Sequence, residues 1–192
     1  CRSQMAICCT NIGMYDEALI TLDSIRTEGV DKEWLGEYYK AYNNVYNELA
    51  YYTRLENMRQ MYWQKGGHYE QLMLETLPAT DTDCMLRREL ALMNKGELDA
   101  SIKLNDEWMK MVEKGSHPYA LVTLYRYLEY KAKGDSTEMM KWLVESVLAD
   151  IRNGVMDQGS MWELANQLML KGDLDHAYRY ISYTSDCASR YG

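Results

Sequence analysis

No phenylalanine occurs in this 192-residue chain, and there are only 2 prolines and 3 histidines. Without Phe, the 17 Tyr and 5 Trp must supply the large rings of any core. A Tyr ring packs while its hydroxyl reaches an edge or a partner, which suits thin two-layer helical stacks. No apolar run approaches the roughly 18 residues of a membrane span. The best are short, such as Leu90-Ala91-Leu92-Met93. No signal peptide is visible. The chain does not begin with Met, so Cys1 is read as a processing boundary and the chain as a piece of a longer protein.

Clustered positive charge is also missing. The net charge is −8, Lys and Arg are scattered singly, and the densest pair is Arg87-Arg88. That argues against a nucleic-acid partner, which needs a basic stripe to meet phosphates. The 5 cysteines are Cys1, Cys8, Cys9, Cys84 and Cys187. An odd count without CxxC spacing argues against a disulfide scaffold or a zinc site, and adjacent Cys8 and Cys9 are poor geometry for a bridge. They read as small buried hydrophobes.

Catalytic patterns are absent too: no HExxH, GxSxG, GxxxxGK[ST] or GxGxxG. His68, His117 and His176 each stand alone in their segments. Asp81 and Asp83 read as helix-start residues, where negative charge complements the helix amino terminus. A calcium loop would need alternating oxygens, a Gly and a late Glu. The reading is a non-enzyme with no catalytic residue, metal or cofactor.

What is present is an ordinary globular composition, 47% hydrophobic and 26% charged, together with a repeat. Four segments look alike: Gly13 to Leu19, Gly96 to Ile102, Gly134 to Met140 and Gly172 to Tyr178. Gly96, Gly134 and Gly172 stand 38 residues apart, and Gly13 lies about two such periods before Gly96. Spacing of this size marks a helical repeat. Each Gly suits a left-handed helix end. Asp135 with Glu138, and Asp173 with His176, sit at cap-to-third-position spacing. A small residue five positions after most of these glycines lets two helices approach.

The flanking stripes are helical. They run through Met5, Cys8, Cys9 and Ile12; Leu121, Leu124, Tyr125 and Leu128; Met161, Leu164, Ala165 and Leu168; and Leu174, Ala177, Tyr178 and Ile181. An unmarked hairpin fills 31–77, with Asp31 as a cap, a break near Tyr51–Thr53, and a second helix through Leu55, Met58, Met61 and Tyr62. Gly66-Gly67 predicts a kink or loop in that helix, because two interior glycines cost about 2 kcal/mol. Pro78 and Pro118 sit just before or at helix starts, where proline is tolerated. Trp34, Trp63, Trp108 and Trp142 are assigned to core packing, while Trp162 lies beside its stripe.

The run Lys171-Gly172-Asp173-Leu174-Asp175-His176-Ala177, like Gly13 to Ala18, resembles the tetratricopeptide repeat signature. Ala165 matches the small residue in the middle of helix A, and Ala177 the Ala early in helix B. Met139 departs from the pattern, and the period exceeds the usual 34 or so by about one helical turn. The resemblance implies an all-α, right-handed α-α superhelix of about five hairpins in a single domain, spanning about 1–29, 31–77, 81–115, 118–153 and 157–190. The second hairpin, long and Tyr-rich, is where regular geometry is expected to fail. The order of hairpins is also similar to the sensor half of certain bacterial membrane-anchored transcriptional regulators, which implies a periplasmic sensing domain. The alternative is a general cytoplasmic scaffold without signalling output.

In the repeat family the inner wall is built from helix A. Mapped residue by residue, that wall takes Leu86, Leu90 and Asn94, then Leu124, Leu128 and Lys131, then Trp162, Asn166 and Met169. Such an apolar groove suits an amphipathic helix or hydrophobic peptide. Its occupant is a protein partner, a hydrophobic segment, or a missing part of the same protein. Exposed ends of a repeat stack predict self-association.

Overall fold

A computed structural model describes residues 2–154 and 159–191, with backbone alone at 187, 188, 190 and 191. The described residues form ten α-helices and no strand. In chain order these are α1 (Arg2–Asn11), α2 (Tyr15–Asp23), α3 (Lys32–Tyr52), α4 (Glu56–Thr76), α5 (Thr82–Asn94), α6 (Leu98–Met109), α7 (His117–Lys133), α8 (Ser136–Arg152), α9 (Gly159–Leu170) and α10 (Leu174–Tyr191). None is long and apolar enough to cross a membrane. The chain divides into two compact units, Cys1–Cys84 and Met85–Gly192.

The glycines of the repeat close four turns in the same way. Gly13, Gly96, Gly134 and Gly172 have φ of 77, 77, 77 and 79°. The next residue's N–H reaches back five residues to a carbonyl of the last helical turn: Met14 to Cys9, Glu97 to Leu92, Asp135 to Tyr130 and Asp173 to Leu168. This is the Schellman closure, which satisfies helix-end carbonyls and needs a left-handed residue. Five residues after each of these glycines, Ala18, Ser101, Met139 and Ala177 are buried where helices meet. The expected caps also form. Asp31 accepts from the Trp34 N–H at 2.8 Å, and Asp135 from the Thr137 and Glu138 N–H groups.

In the first unit, α3 and α4 form the most extensive helix pair. The expected kink at Gly66-Gly67 is absent, and α4 runs unbroken from Glu56 to Thr76. Gly66 is where the two helices touch. Asn43 Nδ2 donates to the Gly66 carbonyl at 2.9 Å, and a Cβ on Gly66 would lie 2.7 Å from Asn47 Oδ1. Close packing therefore compensates for the poor helix propensity. The inward face of α4 is Tyr62, Gly66, Tyr69 and Met73. Because this stripe passes through a glycine, Trp63 does not join the core as expected; it points outward and is exposed.

Tyrosine does the packing work of Phe, and its hydroxyls find carboxylates. Tyr42 stacks on Tyr69 with centroids 4.4 Å apart and donates to Asp23. In the second unit Tyr119 donates to Glu145 at 3.1 Å, and Tyr127 donates to Glu163. Burial and the adjacent Glu145 push the Tyr119 phenol up to about 12.

Three other stripes need correction. α1 buries Ser3, Ala6 and Thr10, while Met5 and Ile12 are exposed. Small side chains face the neighbouring helices, and the Thr10 hydroxyl is satisfied by the Ala6 carbonyl at 2.8 Å. On α10, Ala177 is buried but Leu174 and Tyr178 are exposed. On α7 the buried positions are Tyr119, Ala120, Val122, Thr123, Arg126, Tyr127 and Glu129, with Leu121, Leu124, Tyr125 and Leu128 half-buried. Among the cysteines Cys84 is buried, Cys9 is half-buried, and Cys8 is exposed on the outer side of α1. Cys1 lies outside the described residues, and Cys187 is described in backbone alone.

Candidate functional site

Within the second unit, α9 turns Met161, Leu164 and Ala165 inward. About a third of a turn round the same helix lie Trp162, Asn166 and Met169. All three are exposed, Trp162 at 55% and Met169 at 48%. Their i, i+4, i+7 spacing puts them on one face.

That face is held in place by Glu163. Its carboxylate accepts from the Tyr127 hydroxyl, from Lys131 Nζ at 2.6 Å and from Gln167 Nε2 at 3.1 Å. Burial alone would raise the Glu163 carboxyl, but these donors outweigh it and hold it below the usual carboxylate range. Lys131 also sits 5.3 Å from the Tyr127 ring centroid. α9 is thus tied to α7 by a charge-assisted network rather than by apolar contact alone.

The leucines at the other helix-A positions lie deeper. Leu86 packs against the cluster around Trp108, and Leu124 and Leu128 against the cluster around Tyr127. Leu90 is half-buried and Asn94 exposed at the end of α5. Lys131 spends its charge on Glu163.

Sequence reading missed a buried polar network joining α5, α6 and α7. Glu89 and Glu129 are both fully buried, and Arg126 is nearly so. Asn105 Nδ2 donates to Glu89 Oε1 at 2.9 Å and to the Val122 carbonyl at 3.0 Å. Ser101 donates to Glu129 at 2.5 Å, and Arg126 pairs with Asp106. Burial pushes the Glu89 carboxyl up to about 8, helped by the facing Glu129 and opposed by Asn105 and Arg126. Burial raises Glu129 as well, against Ser101 and Arg126. Two close buried carboxyls resist ionising together, so burial and mutual repulsion both favour a proton held at this pair. One signal existed in the sequence. Val122, Arg126 and Glu129 continue one helix face, so charge sits where an apolar stripe should run.

Among the described residues, no group of three or more His, Cys, Asp or Glu is placed to hold a metal. His176 Nδ1 lies 2.8 Å from Asp173, an exposed pair at the start of α10. Its chemistry is that of a helix cap.

Paired helices, left-handed glycine turns and small residues at the crossing points define a tetratricopeptide-like helical repeat, of a class whose members are generally non-catalytic interaction modules. The match is more specific than that. The family described as the SusR N-terminal TPR domain matches residues 1–192, and the chain belongs to it. No match was found among curated proteins.

Proposed function

We propose that this domain is the sensing or interaction module of a bacterial regulatory protein, and that it engages a protein or peptide through the inner wall of its helix-A elements, centred on the exposed Trp162. The observation that carries the reading is an exposed Trp on a helix whose orientation is fixed by four interlocked polar side chains. An exposed aromatic on a rigid support loses little entropy on binding, which is how binding hot spots are built. Family membership supports the sensing role. The periplasm is the compartment this reading proposes, with a phosphatase fusion to the full-length protein as its test.

The decisive comparison is affinity capture with wild type and Trp162→Ala. A partner recovered by wild type and lost with Trp162→Ala supports the assignment. An unchanged set of partners refutes it. The full-length gene distinguishes sensor from general scaffold, because a sensor requires a membrane span and an output domain in the same chain.

A further inference from the structure

A second surface lies between α8 and α10, away from the Trp162 face. Two adjoining cavities of about 360 and 250 Å³ share His176 and Tyr180 of α10. Met161, Leu164 and Leu168 of α9 form the floor. The α8 wall carries Val144, Leu148 and Ile151, which stay 39, 40 and 45% exposed although α10 is in place.

The repeat does not require this wall to be apolar. One 38-residue period earlier, the same register holds Asp106, Lys110 and Glu113. One period later it holds Ser182, Asp186 and Ser189. Of these three repeats only α8 carries aliphatic side chains there, so the face is not a by-product of hairpin packing. An uncovered aliphatic face costs solubility, and its presence in one repeat alone marks an interaction surface.

Its charge points to the occupant. The chain carries a net −8, yet the charged side chains lining this groove, besides His176, are Arg179 and Asp173 on and just before α10. Arg179 makes no ion pair among the described residues, and the nearby carboxylate of Asp173 is taken up by His176. The wall from Met140 to Ile151 is about 16 Å long at 1.5 Å per residue, or three helical turns. We propose that this groove binds an amphipathic helix with apolar anchors at i, i+4 and i+7 and acidic residues on its flank. The anchors fill the two cavities over Met161 and Leu168, and the acidic flank meets Arg179. This surface is independent of the Trp162 face.

The test uses the full chain and two synthetic 16-residue helical peptides with Leu at the anchor positions, one with Glu flanks and one with Lys flanks. Fluorescence anisotropy should show the Glu peptide binding at least tenfold tighter than the Lys peptide. Val144→Asp and Ile151→Asp should each weaken it tenfold or more, and Arg179→Glu should invert the preference. These side chains are partly exposed, and circular dichroism of each variant confirms its helix content. Trp162→Ala should leave the affinity unchanged, so failure here and failure of the helix-A reading are separable. Equal binding of both peptides, no binding of either, or a loss with Trp162→Ala overturns the proposal. So does concentration-dependent dimerisation abolished by Val144→Asp, which would assign the groove to a second copy of the chain.

Discussion

Replacing Glu89 by Gln should stabilise the second unit at neutral pH and remove a pH dependence. The Glu89 carboxyl is fully buried and pushed up to about 8, so it stays protonated in the folded state at pH 7. In the unfolded chain the same group ionises near 4.3. Between those values the folded state binds the extra proton, so stability falls as pH rises, by about 1.4 kcal/mol per unit, and levels off above the folded value. At pH 7 the accumulated cost is about 4 kcal/mol. Glutamine has the same shape and no proton to hold. Its oxygen can keep the Asn105 hydrogen bond, and its amide can donate toward Glu129. Imperfect geometry offsets part of the gain, leaving an expected stabilisation of about 1–3 kcal/mol at pH 7 that vanishes near pH 4. Urea unfolding followed by tryptophan emission at pH 4.5, 6, 7 and 8 measures it, since buried Trp108 lies in the same unit. A variant less stable than wild type at pH 7, or a difference that does not change between pH 5 and 8, would refute the reasoning.

Gly66→Ala and Gly67→Ala should move stability in opposite directions. The first drives a methyl to 2.7 Å from Asn47 Oδ1 and should cost about 1–3 kcal/mol, whereas the second meets nothing within 4 Å and should gain about 0.5–1 kcal/mol of helix propensity. Glu163→Ala leaves the Tyr127 hydroxyl and Lys131 without their shared acceptor, and should cost about 1–3 kcal/mol in thermal or urea melts. Trp162→Ala should change stability by less than about 0.5 kcal/mol, because the ring is more than half exposed; a larger loss would mean that the ring belongs to the fold.

The hairpin turns were legible because their physics is local. A glycine, a following cap residue and a small residue at fixed spacing are all that a Schellman turn and a helix crossing need, and each appears in sequence. The faces were harder to read. On α1 the sequence stripe favoured Met5 and Ile12, but close packing of short helices selects Ser3, Ala6 and Thr10, whose small size hides them from a hydrophobicity pattern. On α4 the buried stripe runs through Gly66, which has no side chain to mark it. On α7 the buried positions include Arg126 and Glu129, whose burial depends on partners from α5 and α6 far away in sequence. At the candidate site, Trp162 stood out because it fell off the stripe. The network that orients it was legible only at Lys131, which maps to the same wall; its partners Glu163 and Tyr127 carry no mark until α7 and α9 are side by side.

The repeated glycine turns also bear on how the chain is made. Each closure is complete within six residues and needs no contact from a distant part of the protein. A ribosome that has released residues up to Met14 has already supplied every atom of the first turn, and the same holds at Glu97, Asp135 and Asp173. Hairpins of this kind can therefore take shape one after another as synthesis proceeds, each offering the next a ready surface. α3 and α4 are different, because the Asn43–Gly66 contact must wait for 23 further residues. The long tyrosine-rich hairpin is therefore held by contacts that form only once both of its helices have been made.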